Sequence, residues 1–563
     1  MRREASVVNK KVCSFPILFA LLALLIGTCA VVFPASAQAA PTSTGSITVS
    51  GTVASSYDAY QIFSANVVDG DSDAKIATDL AWASDAVRDA ALPVLHSAGM
   101  PNSQTTAQEA AEWLNTDSHL TSALSAQLAR SLQSSAAESV ALNAGTAAEL
   151  HCGYWLIVAD DGAIAQGEAG TAPIMALVGG SAVTVKPKAA TPKVSKHVLE
   201  DSTAAWQKAA DATVADDLYW RLSVTVPAGL TAYDTYTVRF VDTMSAGLDP
   251  SKVAASMRVY VAAGADGGFD AVQTGKDGRA STEPAKGWTD ITAQCATKVA
   301  ADGKTFTVRT GDLVAALGGA DAFTAGARVV AVYNAPLSSA CSHGIAKGNP
   351  NEVYLRYPRS PFADQSGDAG FTRTPSDDAT AYTWDLALTK RGSDGDKPLA
   401  GAVLSIADDR GRTLAADGTW DAEGKATVTT GEDGRVTVSG VDSGKLEVRE
   451  LKAPKGYTAF EGTRSVTVKA EGLDVDQVAA AKPKLTITAE SPLRADSADG
   501  STGSLEASLI NTPTGTPPSI TTGGFMPSTG DMAMYAAAAA AVAGAALIVV
   551  ALLVKRGGGS HKE

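Results

Sequence analysis

The chain has 563 residues, which is enough for about three or four domains of ordinary size. Its 60 Asp and Glu residues outnumber 46 Lys and Arg, and no basic run with interleaved aromatic residues occurs, which argues against nucleic acid as a partner. The six histidines form no metal-binding motif, and neither H-E-x-x-H nor G-x-S-x-G is present. We therefore predict a protein that is not an enzyme and that uses no metal or cofactor.

Residues 1–39 predict a secretory signal peptide. The cationic start MRREASVVNKK leads into the apolar run FPILFALLALLIGTCAVVF, and small residues in an A-x-A arrangement follow in PASAQAA. An uncleaved membrane anchor is the alternative, and the small residues of the cleavage type disfavour it. We expect the chain to be secreted.

Residues 526–563 contain three parts in a defined order. MPSTG comes first, then an apolar run over 533–554 that is long enough to cross a bilayer as a helix, and then a basic KR pair. This order resembles the cell-wall sorting signal of Gram-positive surface proteins, with Met526 in place of the usual Leu. The resemblance implies that a sortase cuts between Thr529 and Gly530 and passes the Thr529 carbonyl to an amine, whereas a permanent membrane anchor is the alternative.

Proline-rich breaks divide the rest of the chain. The predicted parts are an N-terminal unit over 40–190, a second over 191–375, a third over 376–511 and a linker over 512–525. The first unit has strand-like segments around the helical patterns TTAQEAAEWL and HLTSALSAQLARSLQ. The others show short alternating runs split by Gly, Asp and Pro, which is typical of β-sandwiches. We predict a mainly β fold of tandem Ig-like β-sandwich domains behind a strand-rich N-terminal domain with helical insertions.

Three polar side chains of the third unit fall on apolar strand faces. In KLEVREL, Glu450 alternates with Leu446 and Val448, so the three side chains share one face. Lys390 ends the alternating segment DLALTK in the same way, and Asn511 ends SLEASLIN. The pattern predicts a lysine, an acid and an asparagine inside one core.

The second unit repeats this set with different surrounding sequences. Lys196 lies in KVSKHV, Asp242 in YTVRFVDTM and Asn351 in NEVYLRY. Burial lowers the pKa of a lysine and raises that of an acid by ~3 to 5 units, which yields a neutral nucleophilic amine and a proton-relaying acid. We predict a Lys–Asn amide in each unit, formed with loss of ammonia and catalysed by the acid. The alternative is that these are strand-end residues whose polar tips reach solvent.

Three cysteines remain after the signal peptide. In an oxidising compartment Cys295 and Cys341 could form a disulfide within the second unit, which would leave Cys152 over.

Longer segments add a family resemblance. KLEVRELKAPKGYT resembles the E-box of Gram-positive pilins, in which an acid precedes an Ala-Pro-x-Gly-Tyr turn, and it makes the third unit similar to a CnaB-type domain. DTMSAGL and GNPNEVYLRY make the second unit similar to the CnaA-like middle domain of shaft pilins. YDAYQIFSA and GYWLIVAD resemble the amino-terminal domain of the same proteins. The chain thus resembles a sortase-assembled major pilin, or fimbrial shaft subunit, over nearly its whole length.

The resemblance implies how such a subunit is assembled. A class C sortase joins identical subunits into a covalent polymer that also carries minor pilins, is attached to peptidoglycan and forms a fimbria on the cell wall, with host surface ligands as further candidate partners. VTVKPK suggests Lys188 as the nucleophile that attacks Thr529 of a neighbour. Lys186 is the alternative, since it stands where the family has Tyr, and Gly179 replaces the usual upstream Trp. A single wall-anchored adhesin with the same domains is the competing function.

Overall fold

The computed structural model describes residues 43–515 except 72–73, 117, 171, 188–190 and 276. The predicted signal peptide, Lys188, the sortase motif with Thr529 and Gly530, and the predicted membrane span therefore lie outside the described residues. Among the residues that are described, no helix is long and apolar enough to cross a membrane. The mainly β fold predicted from the sequence is confirmed, and strands build all three units.

The first unit combines two sheets and three helices. Its elements are β1 (Thr44–Val49), β2 (Ser56–Asp69), β3 (Lys75–Trp82), α1 (Asp85–Ser97), α2 (Ala107–Asn115), α3 (Ser122–Gln133), β4 (Val140–Asn143), β5 (Ala147–His151), β6 (Gly153–Ala159), β7 (Ile174–Val178) and β8 (Val183–Val185). A sheet in the order β3-β2-β6-β7, with β4 beside β2, packs against a sheet in the order β5-β1-β8. The three helices cover the other face of the sheet that contains β2 and β6, and α2 and α3 are the predicted helical insertions.

The second unit is a β-sandwich. Its elements are β9 (Lys193–Glu200), β10 (Ala205–Gln207), β11 (Ala209–Asp211), β12 (Tyr219–Val226), β13 (Arg239–Met244), α4 (Val253–Ser256), β14 (Arg258–Ala263), β15 (Val272–Thr274), β16 (Ala280–Pro284), β17 (Thr289–Asp290), β18 (Ala296–Val299), β19 (Thr305–Arg309), α5 (Leu313–Ala316), α6 (Ala320–Phe323), β20 (Ala327–Asn334), β21 (Asn349–Pro358), β22 (Phe371–Arg373) and β23 (Asp377–Tyr382). One sheet has the order β10-β9-β12-β20-β14-β17, and the other has β11-β23-β21-β13-β19-β18 with β22 beside β21. Trp220, Phe240 and Phe306 fill the core between them.

The third unit is a smaller sandwich. Its strands are β24 (Trp384–Gly392), β25 (Val403–Ala407), β26 (Thr413–Leu414), β27 (Trp420–Asp421), β28 (Val428–Thr429), β29 (Arg435–Val441), β30 (Gly444–Lys452), β31 (Tyr457–Thr458), β32 (Thr463–Glu471), β33 (Lys484–Ala489), β34 (Leu493–Asp499) and β35 (Ser504–Pro513). The sheet β29-β24-β35-β31, with β34 beside β35, faces the sheet β27-β26-β25-β30-β32-β33, with β28 beside β25. Short 3-10 helices occur in all three units, at Asp161–Ala163, Pro250–Lys252, Thr292–Gln294 and Val478–Ala480.

The second and third units meet through a buried carboxylate. Asp211 ends β11, and its Oδ2 accepts hydrogen bonds from Trp384 Nε1 at 2.6 Å and from the Ser443 backbone nitrogen at 2.9 Å. Strand β23 pairs with both β11 and β21, so it belongs to the second sandwich. The division therefore falls after Tyr382, which is later than the sequence division at 375/376.

The cysteines of the second unit are separate thiols in the structure, so the predicted Cys295–Cys341 disulfide is not formed. Cys295 precedes β18, and its Sγ donates to the Ile291 carbonyl at 3.3 Å. Cys341 lies in the loop between β20 and β21, where its Sγ is 3.5 Å from His343 Nε2. Each thiol packs against the core with its own neighbours, and burial raises the pKa of each to about 11. Cys152 is a buried free thiol of the first unit.

Candidate crosslinking sites

The structure brings Lys196, Asp242 and Asn351 together in the core of the second unit. All three residues are 0 % exposed. Asp242 and Asn351 lie on neighbouring antiparallel strands, where Asn351 pairs with Met244, two positions beyond Asp242, so both side chains point to the same face. Lys196 comes from β9 in the opposite sheet. A bond between Lys196 and Asn351 would therefore join the two sheets.

A tyrosine that was not predicted completes this site. Lys196 Nζ contacts Asp242 Oδ2 and donates to Tyr333 Oη at 2.8 Å. The Tyr333 hydroxyl donates to Asp242 Oδ2 at 3.0 Å and accepts from Asn351 Nδ2 at 2.8 Å. One hydroxyl oxygen thus holds both the amine of the lysine and the amide nitrogen of the asparagine.

Burial controls the charges in this site. It lowers the pKa of Lys196 to about 8, against the opposing effect of Asp242, and it raises the pKa of Asp242. Aromatic rings enclose the amine, whose Nζ is 5.4 Å from the ring centroids of both Trp220 and Tyr333. Asp242 Oδ1 and Asn351 Oδ1 have no hydrogen-bond partner among the described residues. Both are acceptors, so a proton on the Asp242 carboxyl would supply a donor that this site otherwise lacks.

The second predicted set is also brought together, with a different geometry. Lys390 and Asn511 lie on β24 and β35, the first and last strands of the third unit, which run parallel side by side. Lys390 pairs with Leu509, and Asn511 pairs with Gly392, so the two residues are diagonal neighbours. Glu450 projects from β30 in the facing sheet. The side chains of Lys390 and Glu450 are both fully buried.

In this set the carboxylate is the centre of the contacts. Glu450 accepts from Asn511 Nδ2 at 2.9 and 3.0 Å through its two oxygens, and from the Phe460 backbone nitrogen at 3.1 Å. Lys390 Nζ lies 3.5 Å from Glu450 Oε1 and donates to the Leu509 carbonyl at 3.3 Å. Burial lowers the pKa of Lys390 to about 8. The amine therefore reaches the acid, and the acid holds the amide.

The segment KAPKGYT folds over this second site. Gly456 has φ +87°, a left-handed conformation that glycine adopts without strain, and it reverses the chain towards the last strand. Tyr457 and Thr458 then pair with Pro513 and Thr512, directly beyond Asn511. The Tyr457 hydroxyl donates to Asp394 Oδ1 at 2.8 Å. The turn thereby ties the end of the last strand to the loop after β24 and covers the site.

The structure describes one of the two candidate polymerisation lysines. β8 pairs in parallel with β1, and Lys186 follows its last residue as an exposed side chain. Pro187 is buried, while Lys188 lies outside the described residues. Of the two candidates, only Lys186 lies among the described residues.

Part of the chain is similar to a known domain family and to a known surface protein. Residues 385–482 match the family model of the SpaA prealbumin-like fold domain. Over 129 residues the chain is 30% identical to the trypsin-resistant surface T6 protein of Streptococcus pyogenes serotype M6, and the match spans 22% of each protein.

Three solved pilin structures are among those that align with this chain. They are the T6 backbone pilin of Streptococcus pyogenes (16% identity, 84% of this chain, 98% of that chain, TM-score 0.44), the full-length major pilin SpaD of Corynebacterium diphtheriae (15%, 84%, 98%, 0.40) and the major pilin BcpA of Bacillus cereus (11%, 84%, 99%, 0.38). Residues 385–482 of the third unit are thus similar to a SpaA prealbumin-like domain, and this match and the T6 relative confirm the resemblance to Gram-positive major pilins predicted from sequence.

The depressed pKa of Lys196 predicts a pH effect in a chain that cannot form the first bond. In an Asn351→Ala variant the lysine stays free, and its pKa is about 8 when folded against 10.5 as its ordinary value. Between these pH values the unfolded chain binds more protons than the folded chain. The free energy of unfolding should therefore rise by about 3 kcal/mol as pH increases from about 8 to about 10.5. Below pH 8 the folded chain shows the whole destabilisation that comes from burying the charged lysine. Urea unfolding of the second unit measures this, and a Lys196→Met/Asn351→Ala control should lack the rise. Parallel pH profiles for the two variants would contradict the assignment.

Proposed function

We propose that the chain is the structural shaft subunit of a covalently polymerised pilus on a Gram-positive cell wall, strengthened by internal Lys–Asn isopeptide bonds. The observation that carries this proposal is the pair of buried Lys–acid–Asn sets, one in each of two consecutive sandwiches. A class C sortase would join Thr529 of one subunit to Lys188 of the next, with Lys186 as the alternative nucleophile. The resemblance to pilins supports the assignment as a pilus shaft subunit.

The bond in the second unit follows from ordinary amide chemistry. With a pKa of about 8, about one-tenth of the Lys196 side chain is neutral at pH 7, and its Nζ lone pair can attack the Asn351 side-chain carbonyl carbon. Protonated Asp242 gives its proton to the carbonyl oxygen and takes one from the attacking amine. Asp242 next passes the proton that it took from the amine to Nδ2, by way of the Tyr333 hydroxyl, which contacts both groups. The former carbonyl oxygen returns its proton to Asp242 as the carbonyl re-forms, the C–Nδ2 bond breaks and the nitrogen leaves as ammonia. The products are one Lys–Asn amide and one ammonia, with no oxidation or reduction.

Tyr333 supports this step by holding both reacting nitrogens. Its oxygen is 2.8 Å from the attacking Lys196 Nζ and 2.8 Å from the departing Asn351 Nδ2. The hydroxyl can therefore keep the two groups aligned and relay to the leaving nitrogen the proton that Asp242 took from the attacking amine. In the third unit Glu450 has both tasks, since it contacts the amine and the amide directly.

The positions of the two bonds define a path for mechanical force. A pulled subunit would be held at the linker lysine and at Thr529. Force would pass from there to Lys196, across its bond to Asn351, along the chain to Lys390, and across its bond to Asn511. The folded segments between each bonded pair would carry no load, so extension would not unfold them. This arrangement suits a shaft that bears tension.

The solitary adhesin remains the second candidate function, because it would use the same crosslinked sandwiches and the same sorting signal. What separates the two is a lysine that accepts the Thr529 carbonyl of another copy. Lys186 is exposed and follows a strand end, so its amine is accessible to another copy of the chain.

A gel of wall-released protein tests polymerisation. We expect wild-type cells to give a ladder of high mass under denaturing conditions, because sortase-made bonds survive the detergent. Lys188→Ala should reduce the ladder to a single band, while Lys193→Ala, an exposed lysine a few residues later, should leave it unchanged. A ladder that is lost only with Lys186→Ala would move the nucleophile to Lys186. A single band from wild-type cells would contradict the shaft and favour the solitary adhesin.

A further inference from the structure

The second unit has a pocket on the outer face of its six-stranded sheet, away from the crosslinking site. Its volume is about 400 Å³, and its lining includes Trp206, Arg221, Asp270 and Gln273. Trp206 belongs to the edge strand β10, while Arg221 lies on β12 and points away from the core that contains Lys196. The segment leading into β15 closes the other side. The pocket therefore lies between the sheet and the β15–β16 hairpin.

Arg221 is a buried cation with little compensation. The residue is 7 % exposed, and its Nε has no hydrogen-bond partner within the described chain. Nη1 donates to the Phe269 carbonyl at 3.4 Å, which is near the limit for a hydrogen bond. The nearest acid is Asp270 at 3.6 Å, whose side chain is 88 % exposed and therefore screened by water. Burial lowers the pKa of Arg221 to about 10, as expected for a charge without a firm partner.

Apart from the exposed Asp270, the residues that line this pocket carry no negative charge. His197 pairs with Arg221 across the sheet, and burial together with the charges of Arg221 and Lys208 lowers its pKa to about 3, so the ring is neutral. Lys208 is already paired with Asp377. A positively charged, poorly compensated guanidinium next to open space is an environment that favours an anion.

We propose that this pocket binds a small organic carboxylate, held by the terminal nitrogens of Arg221 beside Trp206. Trp206 packs on the guanidinium, with the Arg221 Cζ 5.1 Å from the ring centroid, and so holds its plane in place. A carboxylate accepts two hydrogen bonds from a guanidinium, which Asp270 at 3.6 Å does not achieve. The ligand would displace Asp270 into the solvent. Thr274 and Gln273 supply polar groups for the rest of a ligand the size of a sugar acid or an amino acid. The site is independent of the crosslinks and of polymerisation.

A matched pair in the same domain provides the control. Arg328 also lies over a tryptophan ring, with its Cζ 5.2 Å from the Trp288 centroid. Unlike Arg221, it has firm backbone partners, because Nε donates to the Gly264 carbonyl at 3.2 Å and Nη1 to the Gly268 carbonyl at 2.5 Å. Arg328→Met therefore removes a similar arginine that does not line the pocket.

Calorimetric titration of the mature chain with sodium glucuronate, sodium glutamate and sodium acetate tests the proposal, with glucose as the neutral probe. We expect the carboxylates to bind and glucose not to bind. Arg221→Met should weaken binding at least about tenfold, since a hydrogen-bonded charge is lost, and Arg328→Met should not change it. Asp270→Asn removes the competing carboxylate from an exposed position and should strengthen binding by up to about fivefold.

The outcomes separate the possible sources of the carboxylate. Tighter binding of glucuronate than of acetate would support the proposal and point to acidic sugars, whereas tighter binding of glutamate would support it and point to acidic side chains. Equal binding of glucose and glucuronate, or no binding of any carboxylate, would overturn it. If Arg221→Met does not fold, carboxylate binding by Asp270→Asn is the test. Binding by that variant that is unchanged or weaker than binding by wild type would overturn the proposal.

Discussion

The intact mass of the purified mature chain should be lower than its sequence mass by two molecules of ammonia. Each Lys–Asn amide releases one, and the two sites are in separate cores that react independently. Glu450→Ala should restore the mass of one ammonia, because Lys390 and Asn511 then lack the group that moves protons between them. Asp242→Ala should restore the other, and the double variant should have the full mass of its sequence. Electrospray mass spectrometry of the whole chain measures all four forms.

Controls on the same strands make this result specific. Glu447 lies on β30 with Glu450 but is exposed and pairs with Lys445, so Glu447→Ala should keep both mass deficits. Glu352 is the exposed neighbour of Asn351, and Glu352→Ala should do the same. A full-mass wild type, or a deficit that survives replacement of both acids, would contradict the crosslinks.

Tyr333 gives a graded version of the same experiment. Tyr333→Phe keeps the ring that packs at 4.9 Å from Phe306 but removes the oxygen that holds both nitrogens. We expect the second-unit bond to form slowly or incompletely in this variant, while the third-unit bond forms as before. If the variant is lighter than its sequence mass by two ammonia molecules at all times after synthesis, the hydroxyl has no part in the reaction.

Loss of the third-unit bond should lower the stability of that unit strongly. The bond closes the loop from Lys390 to Asn511, and by analogy with a disulfide over about one hundred residues it contributes ~4 to 5 kcal/mol through the unfolded state. Lys390→Met removes the amine and fits the apolar surroundings of Leu388 and Leu509. The unfolding temperature of this unit should fall by roughly 15 to 20 °C. Differential scanning calorimetry of the full chain measures it.

An exposed lysine provides the comparison for this loss. Lys445 lies on β30 and pairs only with Glu447 at the surface, so Lys445→Met should change stability by less than about 0.5 kcal/mol. Equal unfolding temperatures for Lys390→Met and wild type would indicate that no covalent bond was present to lose.

The strand period explains why the sequence predicted these sets. Side chains alternate between two faces of a strand, so a Lys, Glu or Asn among inward-facing apolar residues is conspicuous without any knowledge of the partner strand. Glu450 between Val448 and the turn is the clearest case, and its burial in the structure agrees with that pattern. Which strands become neighbours depends on contacts far apart in sequence, and the parallel pairing of the first and last strands could not be derived locally.

Other features had no local signal. Tyr333 is the last residue but one of the mostly apolar strand sequence ARVVAVYN. A tyrosine in a core strand is ordinary, so nothing marked its hydroxyl as part of a site. The helix α1 contains Pro93, a residue that usually interrupts a helix, and was not among the predicted insertions. The boundary at 375/376 was placed in a polar, proline-containing stretch, but the short strands β22 and β23 within and after it pair with β21. Strand β22 has three residues, which are too few to show a period.

The most direct test of the central claim is to sequence the peptides of the digested protein by tandem mass spectrometry. We predict two branched peptides, one joining Lys196 to Asn351 and one joining Lys390 to Asn511, each lighter than its two arms by one ammonia. Linear peptides that contain free Lys390 and intact Asn511 at full mass, with no branched form, would contradict the claim that these cores are covalently closed.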